Sequence, residues 1–277
     1  MKIHLFRRSY IIIMCLIYLS ILNGQRVIGY YPQWVQGSFT PDKIDYSVIT
    51  HVIHSFAWPD EEGNILHYDN MLSQSVTNTV HDNGAKFLLC FGGWGQSWGF
   101  SSSTSTPELR EIFIDNIISI CETYNYDGVD IDWEQPVSIT EKNNLTSFII
   151  DLREAFDSLY PDWIISMAIP ISNWSGQYYD FNQLKQSVDF FNAMTYDIHG
   201  SWTSHAGHNS PLYQSPPGDP DGSVNTGINY LVNTRGIEST KVNVGIPFYG
   251  KEYNTSDINQ AFTGDAGARL YKEYHGL

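Results

Sequence analysis

The chain has 277 residues, enough for one large domain or two small ones, and its 42% hydrophobic content allows a sizeable core. Thirty acidic residues against fifteen Lys and Arg leave a formal net charge of −15. That balance argues against nucleic acid or an anionic membrane surface as partner, because both attract basic proteins. Aromatic residues reach 14%, with 8 Trp and 18 Tyr; most belong in a core, yet the density also suits stacking on the apolar faces of sugars.

At the N-terminus, Lys2, Arg7 and Arg8 precede an apolar run from Tyr10 to Leu22. This is the layout of a secretory signal peptide over residues 1–24, cleaved near Gly24, and it implies an extracellular protein. The run is long for such a leader and short for a bilayer span, so an uncleaved anchor is the alternative. No later apolar run is long enough to span a bilayer. With Cys15 in the leader, Cys90 and Cys121 remain, as one disulfide or as two buried thiols. Asn-x-Ser/Thr triplets at Asn144, Asn173 and Asn254 are compatible with secretion.

Short apolar runs then recur at 26–31, 49–58, 85–94, 126–133, 163–171, 188–196 and 241–249. Segments 107–124 and 145–160 between them carry apolar residues at helical spacing. Strand followed by helix, repeated, predicts parallel strands with crossover helices, and seven such strands point to a β/α barrel rather than an open sheet. On a barrel, functional groups collect at the C-terminal strand ends, and the long polar loop 199–223 would rim that face. His199, Trp202, His205 and His208 lie in this loop, but no Cys or carboxylate at a familiar spacing completes a zinc set. The segment therefore reads as a polar loop or cleft wall, with no metal expected.

The stretch DGVDIDWEQP, residues 127–136, carries the chemistry. Side chains alternate along a strand, so Asp130, Asp132 and Glu134 share one face, with α-carbons about 6 to 7 Å apart. Val129, Ile131 and Trp133 take the other face and pack under helices. Burial and mutual repulsion raise at least one carboxyl pKa, as a proton donor near neutral pH requires. Glu134, last in the row, is best placed to reach a substrate. Asp127 has the other parity and should sit outside the row. A solvated acidic edge and a carboxylate-bound hard cation are the rival readings of this strand.

DGVDIDWE fits D-x-x-D-x-D-x-E, the strand-four signature of family 18 glycoside hydrolases, the chitinase family. Other segments resemble that family in the same order: RVIGYYPQW the first strand, ITHVIHSFA the second, KFLLCFGGW the third with Cys90 where Ser is usual. MTYDIHGSW resembles the sixth strand, and VNVGIPFYGK the seventh with Lys251 where Arg is common. The resemblance covers residues 26–277 and implies a catalytic domain over 25–277 with a (β/α)8 TIM-barrel fold. Nothing after Tyr249 supplies the eighth strand with its floor tryptophan, so the barrel is expected to be incomplete after strand seven. The tail would begin a small α+β insertion.

The resemblance further implies a secreted, monomeric, cofactor-free hydrolase that cleaves chitin or chito-oligosaccharides with retention, the substrate's acetamido oxygen being the nucleophile. Glu134 would be acid and then base. Asp132 would orient the acetamido group, Asp130 would hold Asp132 and share its proton, and Tyr196 would bond the acetamido oxygen. Met194 and Asp197 would line the same pocket. Tyr30 and Phe56 would lie under the sugar, and Trp94 would stack on it at a strand end. Gln135 would touch the sugar, Tyr249 would line the far side, and Gly92 and Gly93 would allow close backbone approach. Trp34, Trp94 and Trp98 suit a long chitin groove. A chitin-binding lectin, an N-acetylglucosaminidase acting on glycoprotein glycans and a metal-dependent hydrolase are the alternatives.

Overall fold

A computed structural model describes residues 25–271; the leader, Cys15 included, lies outside the described residues. Seven parallel strands form one curled sheet: β1 (Ile28–Pro32), β2 (His51–Pro59), β4 (Lys86–Gly92), β5 (Gly128–Asp132), β6 (Ile164–Ile169), β7 (Phe190–Ala193) and β8 (Val242–Val244). β3 (Ile65–His67) adds antiparallel to β2. All seven expected strands are present in their expected order. The seventh is shorter than the apolar run 241–249, because Pro247 has no N–H for a ladder and the chain turns away after Val244. Tyr249 instead opens β9 (Tyr249–Asn254), which pairs antiparallel with β10 (Thr263–Leu270). This hairpin stands where the start of an α+β insertion was expected.

Crossover helices include α1 (Gln74–Asp82), α3 (Pro107–Tyr124) and α4 (Ile139–Leu159), with the short α2 (Phe100–Ser103) before α3. Helix α3 starts where Thr106 accepts a hydrogen bond from Leu109 N–H with Pro107 at the first turn, and it ends at Asn125 in the left-handed region. Helix α4 begins six residues before its apolar periodicity does. Ser138 accepts from Glu141 N–H while the Glu141 carboxylate accepts from Val137 N–H, a start signal set by polar residues. Beyond them lie α5 (Asn173–Gly176), α6 (Phe181–Ser187) and α7 (Val224–Asn229).

The main core lies between the outer sheet face and the helices. Val129, Ile131 and Trp133 point there with Phe91, Phe113, Phe148 and Leu152, and Trp133 stacks on Phe100 at 5.2 Å. A second, smaller cluster of Ile53, Leu88, Cys90 and Phe190 fills the inside of the curl. Both Cys90 and Cys121 are buried free thiols, one in each cluster. Among the described residues nothing pairs with the free edges of β1 and β8, so the sheet is an open half-barrel. At its N-terminal end the Arg26 guanidinium crosses from the β1 side, donating to Thr240 O and to Asn243 Oδ1 and lying 4.8 Å over the Phe190 ring. No helix among the described residues is long and apolar enough to cross a membrane.

Candidate active site

Strand β5 is buried along its whole length, so its acids enter the interior with their hydrogen-bond partners already assigned by register. Cys90 on β4 and Ser166 on β6 flank Asp130 directly. Asp130 is fully buried and accepts from Ser166 Oγ at 2.6 Å, Tyr30 OH at 2.9 Å, Asn192 Nδ2 at 3.0 Å and Cys90 Sγ at 3.3 Å. Burial pushes its carboxyl above the usual range, and these four donors oppose the shift. Both Asp130 oxygens are thus occupied by neighbours other than Asp132, which differs from the expected proton sharing between the two.

Asp132, one pleat further on, is 6% exposed, and its Oδ1 is buried with no hydrogen-bond partner. Burial first, then the negative charges of Glu134 and Asp130, hold its carboxyl well above the usual range. Gly92 lies beside it in register; an added Cβ there would come within 2.1 Å of Asp132 O, at a φ of +112°. Gly93 N–H donates to that same carbonyl at 2.7 Å. A Cβ on Gly93 would strike the Phe56 ring, so both glycines serve close approach.

Glu134 emerges half-buried at the strand end. Its N–H donates to Ser97 Oγ at 2.9 Å, and Ser97 also reaches the Gly93 and Asp132 carbonyls. Burial raises the Glu134 carboxyl, the Asp197 charge adds to this, and a hydrogen bond from the Trp94 backbone opposes it. Tyr196 stands against the same group: burial, then Asp132 and Glu134, push its phenol up. Tyr249 donates to Asp197 Oδ2 at 2.7 Å, its ring meets Tyr196 edge-on at 6.2 Å, and Lys251 Nζ lies 2.6 Å from Asp197 Oδ1. Asp130, Asp132, Glu134, Tyr196, Asp197 and Tyr249 therefore form one group, as their sequence positions suggest.

On the opposite flank Phe56 stacks with Trp34 at 6.2 Å. Trp34, Trp94 and Trp98 expose 61%, 82% and 53% of their surface, free to meet a flat ligand. Tyr30, on the edge strand, keeps 41% exposed although its hydroxyl is bonded to Asp130. Met194 is half-buried just past β7. The Gln135 side-chain oxygen is taken up by Ser175 Oγ of α5, which turns it toward the helix layer. A concavity of about 760 Å³, lined by Asn209, Pro211, Tyr213, Ile246 and Pro247, adjoins the group at Tyr249. Asp127 lies outside the row as expected. Burial would raise it, but Lys86 Nζ at 2.7 Å, Phe87 N–H and His81 together bring it below the usual range.

Ser97, Ser166 and Asn192 were not singled out from the sequence. For two of them a signal exists: Ser166 and Asn192 are isolated polar residues inside apolar runs that flank an acidic strand, so a buried partner had to be found for each. Ser97 follows a Gly-rich turn and carries no such mark.

The profile described as Glycosyl hydrolases family 18 matches residues 26–276. The chain belongs to glycosyl hydrolase family 18. Within it, the chain is 30% identical to a probable endochitinase of Caenorhabditis elegans over 88% of its own length and 46% of the relative's. It is 29% identical to an endochitinase of Manduca sexta, with 91% and 49% covered. The chain thus spans about half the length of the curated relatives it matches. Among solved structures, the Group IV chitinase of Ostrinia furnacalis superposes with a TM-score of 0.82 at 27% identity, over 90% of this chain and 77% of that one. The same chitinase in complex with allosamidin matches equally well, with 90% and 76% covered at 28% identity.

Proposed function

We propose that this family 18 chain is a secreted chitinase domain that hydrolyses β-1,4 bonds between N-acetylglucosamine units. The observation that carries the reading is Glu134: a half-buried carboxyl, raised by burial and by Asp197, at the open end of a buried acidic row. A carboxyl whose pKa is raised holds its proton more readily, can give it to the glycosidic oxygen and afterwards accepts one from water. Asp132 is too deep to attack an anomeric carbon. Its unpartnered Oδ1 is instead suited to receive the N–H of a substrate acetamido group, whose oxygen then attacks from within the substrate. The Tyr196 phenol, held in its protonated form, donates to that acetamido oxygen. The exposed tryptophans offer stacking faces for successive sugars. Similar proteins supply the substrate class: an Ostrinia furnacalis Group II chitinase domain was solved with a penta-N-acetyl chito-oligosaccharide.

The test is release of a fluorophore from a chito-oligosaccharide glycoside by the chain and by Glu134→Gln, which keeps the shape but removes the acid. Turnover lost in Glu134→Gln is the expected result. Equal turnover in both would remove Glu134 from the chemistry, and chitin binding without turnover by a folded chain would make the protein a lectin.

A further inference from the structure

The loop that follows Asp197 gathers a second set of ionisable groups that the hydrolytic reading does not use. The sequence offers His199 and His205 with no carboxylate at a familiar ligand spacing, yet the fold returns Asp219 and Asp221 against them. Two carboxylates that no sequence spacing marked thus stand beside the histidines. Four ligand atoms, one from each residue, lie within 4.8 Å of one another. His199 Nε2 is 3.0 Å from Asp219 Oδ2 and 3.9 Å from Asp221 Oδ2. His205 Nε2 is 3.2 Å from the same Asp219 oxygen, and its Nδ1 is 3.9 Å from Asp221 Oδ2. Ligands bound tetrahedrally at about 2.0–2.1 Å stand roughly 3.4 Å apart; the two contacts to Asp219 already lie near that spacing, and the wider pairs close in around a bound ion.

The hydrogen-bond pattern points the same way. His199 Nδ1 lies 2.8 Å from the carbonyl oxygen of His208. A carbonyl only accepts, so Nδ1 carries a proton and Nε2 is the ring nitrogen turned toward Asp219. An N–H fixed on a backbone carbonyl is also the usual support of a metal-bound imidazole. Two imidazole nitrogens converge here on the same carboxylate oxygen, with a second carboxylate beside them. One central cation serves all four. The surroundings are built closely: His199 and Asp219 side chains are fully buried, and a Cβ on Gly207 would lie 2.1 Å from the His199 ring. His205 and Asp221 side chains remain 16% and 30% exposed, an entry path for an ion.

We propose that His199, His205, Asp219 and Asp221 form a structural site for a divalent transition ion of the zinc class, pinning the loop that carries Trp202 and Asn209 against the active face. Two neutral imidazoles and two carboxylates balance a dipositive ion and favour zinc over calcium or magnesium.

The full chain, stripped with chelator and dialysed, is titrated with Zn²⁺ by calorimetry and separately loaded with Co²⁺. The expected result is one equivalent of zinc, a higher Tm and the visible absorption of tetrahedral cobalt. His205→Ala and Asp221→Asn, chosen at the exposed side to spare the fold, should each weaken zinc by more than the roughly 10–100-fold that loss of a supporting partner costs. His67→Ala, at an exposed histidine elsewhere, should bind as before. Absence of both zinc binding and cobalt absorption overturns the site, as does stoichiometric binding unchanged in both variants. The cobalt spectrum of the unmodified chain decides even if both variants fail to fold. None of these readouts uses sugar turnover, so a failed hydrolase assay leaves this test standing.

Discussion

Asp132→Asn should make the protein more stable at neutral pH while removing its activity. Asp132 is 6% exposed and its Oδ1 has no partner. Its carboxyl is held well above the usual range by burial and by the charges of Glu134 and Asp130, so the folded chain retains a proton that the unfolded chain releases. A raised folded-state pKa makes stability fall as pH rises from the unfolded value toward the folded one. The asparagine amide carries no such penalty. The gain at pH 7 has a ceiling. Any gain above zero comes from removing the cost of ionising a buried carboxyl. The ceiling follows from an unfolded aspartate pKa of about 3.9: roughly three pH units at about 1.4 kcal/mol each give about 4 kcal/mol. Urea unfolding of both proteins at pH 3.5, 5.5 and 7 measures this directly. The curves should approach each other at the lowest pH and separate as pH rises. A variant less stable than the parent at pH 7, or a difference independent of pH, would refute the reasoning.

Gly92→Ala places a Cβ 2.1 Å from Asp132 O at a φ of +112° and should cost about 3 kcal/mol or more, visible as a lower urea midpoint. Ser97→Ala removes the acceptor 2.9 Å from Glu134 N–H, so stability should drop by about 1–3 kcal/mol and kcat should fall with KM little changed. Asp197→Asn removes a charge that helps hold the Glu134 carboxyl up, and the alkaline limb of the kcat/KM profile should move to lower pH. A limb that stays in place would take Asp197 out of the tuning of Glu134.

Much of this protein is legible locally. Apolar runs separated by helical periodicity state the order of the seven strands, because both faces of a parallel strand are covered and must be apolar. Period-two alternation assigns Asp130, Asp132 and Glu134 to the interior and Val129, Ile131 and Trp133 to the helix layer, since side chains cannot leave the pleat. The start of α4 escaped because it rests on a Ser138–Glu141 cap rather than on hydrophobic period. The end of the seventh strand escaped because Pro247, which cannot join a ladder, lies inside a run that otherwise reads on as one strand.

The sequence by itself determined the fold class, the acidic row and the identity of its last member, each through a period that covalent geometry imposes on neighbours. What only the tertiary structure decided lies between elements. Strand register put Ser166 and Cys90 beside Asp130, and side chains from β1 and β7 supplied two further donors to the same carboxylate. Loop closure carried Asp219 and Asp221 back to His199 and His205 across a span in which no sequence period operates. Partners of that kind are chosen by three-dimensional closure, and a linear pattern carries no record of the distance it removes.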